Sequence, residues 1–172
     1  MSRMQLLVLL GMALAVVALL VLISIPGLGQ KFPAPDEDDA AARLAYAAKW
    51  LLVPGLCLLA GIGALGSLRF FSDDGIDGTR TPESRTLEIN IRYNQNTLEQ
   101  TLLAAIAWIG LSLALSHDQL GLIGVLAVVF AVGRALFWSG YLIAPWARAV
   151  GFGLTFYPTA TALVWLAVRT VA

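Results

Sequence analysis

Five long apolar stretches, separated by short polar connections, run along this chain of 172 residues. Each is close to the ~20 residues that an α-helix needs to cross a bilayer. The connections are too short to hold a soluble domain, and no internal repeat is evident. The predicted spans are residues 4–25, 44–68, 101–115, 120–143 and 149–168. The pattern therefore predicts an all-α membrane protein.

The third span is preceded by a long polar stretch that is also expected to be helical. Between Pro82 and Gly110 there is neither proline nor glycine. A helix over 82–115 would be ~50 Å long at ~1.5 Å per residue, whereas the hydrocarbon core is only ~30 Å thick. We therefore expect the first turns of this helix to stand in the cytoplasm, with polar side chains.

Composition excludes a soluble domain and a nucleic-acid partner. Hydrophobic residues make up 59% of the chain and charged residues only 13%, whereas soluble domains carry about 25% charged residues. The net charge is zero, so no basic field is present to attract nucleic acid. The single cysteine, Cys57, lies in an apolar run and is expected to be inert. With one cysteine and one histidine, His117, the sequence predicts no metal site.

The charges of the connections predict how the spans are oriented. Cytoplasmic loops carry an excess of lysine and arginine. A cytoplasmic N-terminus places six arginines inside, namely Arg3, Arg69, Arg80, Arg85, Arg92 and Arg148, and leaves Lys31, Arg43, Lys49 and Arg169 outside. The first span is longer than the ~7–15 residues of a signal-peptide core, so it is expected to be a retained helix. The compact chain suggests a bacterial inner membrane.

A polar face leads into the third span. Arg92, Asn96 and Glu99 are spaced i, i+4, i+7, which places them on one side of a helix. Glu88 lies one turn before Arg92 and can pair with it. Arg134 lies inside the fourth span, where a lone arginine needs a partner or a wet cavity.

Two compatible interpretations of Arg134 follow. It pairs with Glu99 and orients the bundle, or it lines, with Arg92 and Asn96, a cytoplasm-facing cavity for a small anion. Tyr141 lies seven residues after Arg134 on the same face, and Arg148 follows the corner at Pro145. Taken alone, Arg148 is interpreted as a cation that snorkels at the membrane edge.

Together these motifs resemble the MAPEG family, the membrane-associated proteins in eicosanoid and glutathione metabolism. The resemblance rests on Arg92-x3-Asn96-x2-Glu99 in one helix, on Arg134-x6-Tyr141-x6-Arg148 across a later corner, and on the phrase GYLIAPWARAVGFGL. It covers residues 44–172. It implies a four-helix membrane bundle that assembles as a homotrimer, with glutathione bound between subunits in clefts open to the cytoplasm.

The resemblance also implies roles for individual residues. Arg92, Asn96 and Glu99 match positions that contact glutathione, and Tyr141 matches a ligand-contacting tyrosine. Arg148 matches the arginine that stabilises the glutathione thiolate, and is the expected catalytic residue. Arg69 is similar to a basic residue that holds a glutathione carboxylate. The resemblance also places Arg134 among the residues expected to bind glutathione.

Three features depart from the family pattern. The first span is an extra helix, so residues 1–43 form an N-terminal helix with an acidic loop and residues 44–172 the four-helix domain. We expect the extra helix to pack outside the bundle and to leave the cleft intact. Phe137 and Gln100 stand where many relatives carry an aromatic hydroxyl.

The function implied is that of a glutathione-dependent membrane transferase or peroxidase. A free thiol has a pKa of ~8.5, and a nearby guanidinium favours its charged form. The thiolate would attack a lipophilic electrophile, or reduce a hydroperoxide, arriving from membrane lipids. The alternative is a non-catalytic scaffold that binds a lipid or a partner protein. A transporter is disfavoured, because no repeat or broken midplane helix is evident.

Overall fold

A computed structural model describes residues 1–71 and 84–171. Within them lie five α-helices that are long and apolar enough to cross a membrane. They are α1 (Arg3–Ile23), α2 (Ala40–Phe70), α3 (Arg85–Ala114), α4 (Gly121–Ile143) and α5 (Ala149–Val171). The predicted all-α membrane fold is confirmed, and each predicted span falls on one of these helices.

The helix starts follow from local capping. Ser2 caps α1: its hydroxyl accepts a hydrogen bond from the backbone N–H of Gln5, and the Gln5 side chain accepts one from the backbone N–H of Ser2. Asp39 caps α2 through the backbone N–H of Ala42, at 2.7 Å. Both arrangements satisfy amide donors that have no partner inside the helix. Helix α3 (Arg85–Ala114) includes both the apolar third span and the polar stretch before it. Its predicted start at Pro82 lies outside the described residues.

Helices α2 to α5 form the core of the bundle. α2 packs mainly on α3, and α4 mainly on α5. Trp108 and Phe130 meet edge to face at the centre, with ring centroids 6.2 Å apart. Most of the exposed surface of the helices is aliphatic, as expected where lipid tails are the solvent.

Helix α1 packs on the outside of α5 through small residues. A methyl group added at Gly11 would lie 3.0 Å from the Cβ of Ala149, and one added at Gly153 would lie 2.6 Å from the Cβ of Ala15. Small residues let two membrane helices approach closely. This crossing fixes which face of α1 is turned toward the bundle.

At one end of the bundle, two arginines donate hydrogen bonds to the last carbonyl oxygens of α3. Arg43 donates to the carbonyl oxygens of Ser112 and Leu115, at 3.1 and 2.7 Å, and Arg169 donates to Ala114 at 2.9 Å. Cations are stabilising at a helix C-terminus. Arg43 also pairs with Asp38 at 2.6 Å, and this contact lowers the pKa of the Asp38 carboxyl.

Candidate functional site

A cleft of about 320 Å³ opens at the end of the bundle opposite to Arg43. Its volume lies at the lower end of the ~300–1,000 Å³ typical of small-molecule pockets. Its walls come from the first half of α1, the early turns of α3, the end of α4, the corner between α4 and α5, and the first turn of α5. The lining residues are Val8, Met12, Arg92, Asn96, Phe137, Tyr141, Pro145, Arg148, Ala149 and Phe152.

The α4–α5 corner places Arg148 against Tyr141. Arg148 Nη1 donates to the Tyr141 hydroxyl, and the guanidinium carbon lies 4.3 Å from the centre of the Tyr141 ring. The corner is tight because Gly140 has no side chain: a Cβ there would lie 2.7 Å from the backbone of Ala147. Arg148 is therefore held over one wall of the cleft.

Two guanidinium groups share this cleft. Arg92 and Arg148 both line it, and no carboxylate is among the described lining residues. Burial lowers the pKa of Arg148, and the positive charge of Arg92 lowers it further. An arginine nevertheless stays charged in proteins. Arg92 also pairs with the exposed Glu88, which partly offsets its charge, but a negatively charged ligand between the two guanidinium groups is still favoured.

Arg134 lies behind the cleft and holds Asn96. Only 1% of Arg134 is exposed. Its Nη1 donates to Asn96 Oδ1 at 2.8 Å, and its Nη2 donates to Thr155 Oγ1 at 2.6 Å. The guanidinium carbon also lies 4.5 Å from the centre of the Phe137 ring. Because the Asn96 oxygen accepts from Arg134, its amide N–H₂ group keeps two donors for a ligand in the cleft.

The expected ion pair between Glu99 and Arg134 is wrong within a single chain. Glu99 is exposed and accepts from Gln95 Nε2 at 2.9 Å. The buried face of α3 runs through Tyr93, Thr97 and Gln100, and Glu99 lies to one side of it. Asn96 takes the place predicted for the carboxylate.

The remaining predicted residues lie at the surface. Arg92 pairs with Glu88 as expected, with Nη2 and Oε1 2.8 Å apart, and both side chains are exposed. Arg69 is exposed in the last turn of α2. One chain thus brings Arg92, Asn96, Tyr141 and Arg148 to one cleft, with Arg134 behind it. Arg69 and Glu99 do not line this cleft.

Two contributions to the site were missed from the sequence. The first is Thr155, which is buried and accepts from Arg134. It can approach α4 because Gly133 has no side chain: a Cβ at Gly133 would lie 2.8 Å from the Thr155 methyl group. The small residues of the α4–α5 crossing were the available signal. The other is helix α1, which contributes Val8 and Met12 to the lining of the cleft.

The described part of the chain offers no group of three histidine, cysteine or acidic side chains that could hold a metal ion. The donors in the cleft are guanidinium, amide and phenol groups. Guanidinium and amide N–H groups bind anions rather than cations. The site is therefore suited to an organic anion.

Comparison with known proteins agrees with this architecture. The model of the MAPEG family matches residues 5–168. Transmembrane protein 79 of Mus musculus is 29% identical over 145 residues, covering 78% of this chain and 34% of that protein. Its counterpart in Bos taurus is 28% identical over 145 residues, covering 78% and 33%. The chain thus spans about a third of the length of these relatives. No solved structure matches the chain. Because the family model covers the chain from the first helix to the last, this protein belongs to the MAPEG family.

Proposed function

We propose that the protein is a glutathione-dependent membrane transferase or peroxidase, and that the cleft binds glutathione. The observation that carries the proposal is the convergence of Arg92, Asn96, Tyr141 and Arg148 on one cleft that opens at a membrane edge. Family membership supports the same class of chemistry. The lipophilic cosubstrate would enter from the bilayer, past the apolar wall of α1.

The donors of the cleft suit the groups of glutathione. The tripeptide carries two carboxylates, which guanidinium groups bind well. Arg92 and the amide of Asn96 are assigned to the peptide and carboxylate oxygens. Arg148 is assigned to the sulfur and Tyr141 to holding the Arg148 guanidinium in place. In this assignment Arg134 acts through Asn96 and touches no ligand.

The proposed chemistry begins with a thiolate. Lowering a thiol pKa by ~2 units requires ~2.7 kcal/mol of differential stabilisation, which one partly desolvated arginine can supply. In conjugation a carbon–sulfur bond forms, and the displaced electron pair leaves with a leaving group or is protonated as an enolate. In peroxide reduction the O–O bond breaks to give an alcohol and a glutathione sulfenic acid, which a second glutathione converts to the disulfide and water.

We also propose assembly as a homotrimer. Glu99 is exposed at the middle of α3, where its polar half meets the apolar half, and pairs with no cation among the described residues of its own chain, although an isolated carboxylate is costly near the bilayer. Arg69 is exposed in the last turn of α2, at the end of the bundle where α3 begins. Both would be explained if each completed a cleft on a neighbouring subunit.

The orientation is proposed with the N-terminus and the cleft on the cytoplasmic side, where glutathione is available. Single cysteines at Ser2 and Asp38, in a background with Cys57 replaced by alanine, should then react with impermeant reagents from opposite sides of the membrane. Reaction of both from the same side would exclude this orientation. The mammalian relatives do not bear on the expected bacterial inner membrane, which stays a prediction.

The alternative is a non-catalytic scaffold. It is favoured by Phe137, which puts an apolar ring rather than a hydroxyl into the cleft, and by Gln100, which is buried away from the cleft. In this case the cleft would bind a lipid headgroup or a partner protein. It would show no glutathione-dependent turnover.

The proposal is tested by glutathione titration and turnover with purified protein in liposomes. Arg92→Met should weaken glutathione affinity by ~10–100-fold, which corresponds to one charged hydrogen bond of ~1.5–3 kcal/mol. Arg85→Met is the matched control, because Arg85 is an exposed arginine of α3 that does not line the cleft. Mass spectrometry would detect the conjugate of an added 2-alkenal. Equal affinities of both variants, or absence of a conjugate, would favour the scaffold.

A further inference from the structure

A small cavity lies between α3, α4 and α5, next to the Thr155 side chain that Arg134 contacts. It leaves about 10 Å³ for the centre of a water-sized sphere, which is roughly the space of one water molecule. One turn of α5 forms its polar wall, and two aromatic rings contribute an apolar wall. These residues are Leu154, Thr155, Pro158 and Thr159 of α5, with Trp108 of α3 and Phe130 of α4. The cavity is too small for an organic ligand, so its polar groups decide what can occupy it.

Pro158 leaves one backbone carbonyl oxygen of α5 without its usual partner. Proline has no N–H and cannot donate to the carbonyl four positions earlier, which is that of Leu154. Leu154 and Pro158 both line the cavity, so the cavity lies beside the turn where this hydrogen bond is missing. Leu154 is only 9% exposed and belongs to a membrane span, where a carbonyl without a donor is costly. This carbonyl therefore needs a donor from outside the helix.

Two buried threonines of the cavity add further acceptors. Thr155 is 2% exposed and Thr159 is 4% exposed. Thr159 Oγ1 donates to the carbonyl oxygen of Thr155 at 2.8 Å, and Thr155 Oγ1 donates to that of Phe152 at 3.1 Å. A hydroxyl has one proton to donate and two lone pairs that accept. Both hydroxyl protons are thus already used, and each oxygen keeps at least one lone pair. The occupant of the cavity must be a donor.

We propose that one water molecule binds in this cavity and is a fixed part of the protein. It donates one hydrogen bond to the Leu154 carbonyl oxygen and the other to the hydroxyl oxygen of Thr155 or Thr159. Water has two protons to donate, no net charge and the size of the cavity. Buried water of this kind satisfies polar groups that the chain cannot pair by itself.

The water stands at the end of a chain of hydrogen bonds that reaches the cleft. Arg134 donates to Thr155 Oγ1 at 2.6 Å and to Asn96 Oδ1 at 2.8 Å, and Asn96 lines the cleft. Hydrogen bonds in such a chain strengthen one another, so the water helps to hold the Thr155 hydroxyl, and with it Arg134 and Asn96. Thr155 and Thr159 are positioning residues that touch no ligand of the cleft. This role rests on the proposed function, whereas the water site does not.

The water site is tested by a high-resolution structure of the wild-type protein in lipid nanodiscs. A density peak is expected about 2.7–3.2 Å from the Leu154 carbonyl oxygen, beside a threonine hydroxyl. Thr159→Ile replaces the hydroxyl by an ethyl group that occupies the cavity, and should remove the peak. Thr159→Ser keeps the hydroxyl and should keep the peak. If Thr159→Ile does not fold, Thr159→Val removes the same hydroxyl without added bulk and should weaken the peak.

Glutathione titration of the same variants tests the positioning role. Thr159→Ile should weaken glutathione affinity by about two- to tenfold, as expected for one lost hydrogen bond. It should leave the thiolate absorption at saturating glutathione unchanged, because Arg148 is untouched. Thr161→Ile is the control, since Thr161 is an exposed threonine of α5, and it should bind glutathione as wild type does. A merely structural water would lower the melting temperature of Thr159→Ile and leave its affinity unchanged.

Each part of the inference can fail separately. A wild-type map that shows other buried waters but no peak at Leu154 would overturn the water site, and so would a peak that persists in Thr159→Ile. Loss of the peak with unchanged glutathione affinity would overturn the positioning role. A wild-type protein that holds the water but binds no glutathione would remove the proposed function and leave the water site standing.

Discussion

Replacement of Arg148 by lysine separates a thiolate-stabilising role from a membrane anchor. Lysine keeps the charge and can still snorkel, so an anchor would tolerate the change. A lysine ammonium lacks the planar fork of donors and the flat face of a guanidinium. It would lose the stacked contact over the Tyr141 ring, where the guanidinium carbon lies 4.3 Å from the centroid. Arg148→Lys should therefore fold but lose activity.

The size of the loss follows from the thiolate fraction. At pH 7 a thiol of pKa ~6.5 is about three-quarters ionised, whereas one of pKa ~8.5 is about 3% ionised. The variant should thus lose up to about 25-fold in rate from ionisation, the full value applying when the shorter reach of lysine leaves the thiol pKa unshifted, and up to ~10²–10³-fold if Arg148 also stabilises the transition state. The part of the rate loss that comes from thiol ionisation should be recovered as the pH is raised through ~8.5.

The assay is the pH dependence of conjugation at saturating glutathione for wild type, Arg148→Lys and Arg85→Lys. Arg85 is exposed and does not line the cleft, so Arg85→Lys should match wild type throughout. Melting temperatures of all three should agree within a few degrees, since a partly exposed cation–π contact is worth only ~0.5–2 kcal/mol. Full activity of Arg148→Lys at pH 7 would refute the catalytic assignment.

Three further predictions concern the surroundings of the site. Arg134→Met should weaken glutathione affinity by about tenfold, because it releases the Asn96 amide, and should leave the pKa of the bound thiol unchanged. Calorimetric titration measures the affinity and ultraviolet absorbance the thiolate; an affinity equal to that of wild type would show that Asn96 needs no support from Arg134. Glu99→Ala should destabilise the trimer by ~3–5 kcal/mol if Glu99 is buried against a cation of a neighbour, and an unchanged dissociation temperature in detergent would contradict this. The Arg43 hydrogen bond holds the pKa of Asp38 below its ordinary value of 3.8, so the pair stabilises the fold above pH 3.8 and this stabilisation is lost as the pH falls through the lowered pKa. Asp38→Asn should remove this acid dependence from melting curves, and an unchanged acid dependence would contradict the pairing.

The positions of the spans could be predicted from the sequence because each depends on local properties. The fourth span was expected to end at residue 143 and the fifth to begin at residue 149, and α4 and α5 do so. Apolar run length and the corner at Pro145 were sufficient. The spacing of Tyr141 and Arg148 likewise predicted two side chains near one corner.

Partners across helices could not be predicted in the same way. Whether Arg134 meets Asn96 or Glu99 depends on the rotation of α3, and one residue of difference turns a helix by ~100°. Thr155 is brought to Arg134 only by the close crossing of α4 and α5 at Gly133. The part played by α1 depends on its contact with α5 through Gly11 and Ala15, which an apolar run does not specify.

The proposed function requires that the cleft bind glutathione as its thiolate. The most direct measurement is the ultraviolet difference spectrum of the purified wild-type protein at saturating glutathione and pH 7. Wild-type protein should show a thiolate absorption band of about one equivalent per occupied cleft, abolished by Arg148→Lys and retained by Arg85→Lys. Saturable glutathione binding without a thiolate band, or no binding, would contradict it.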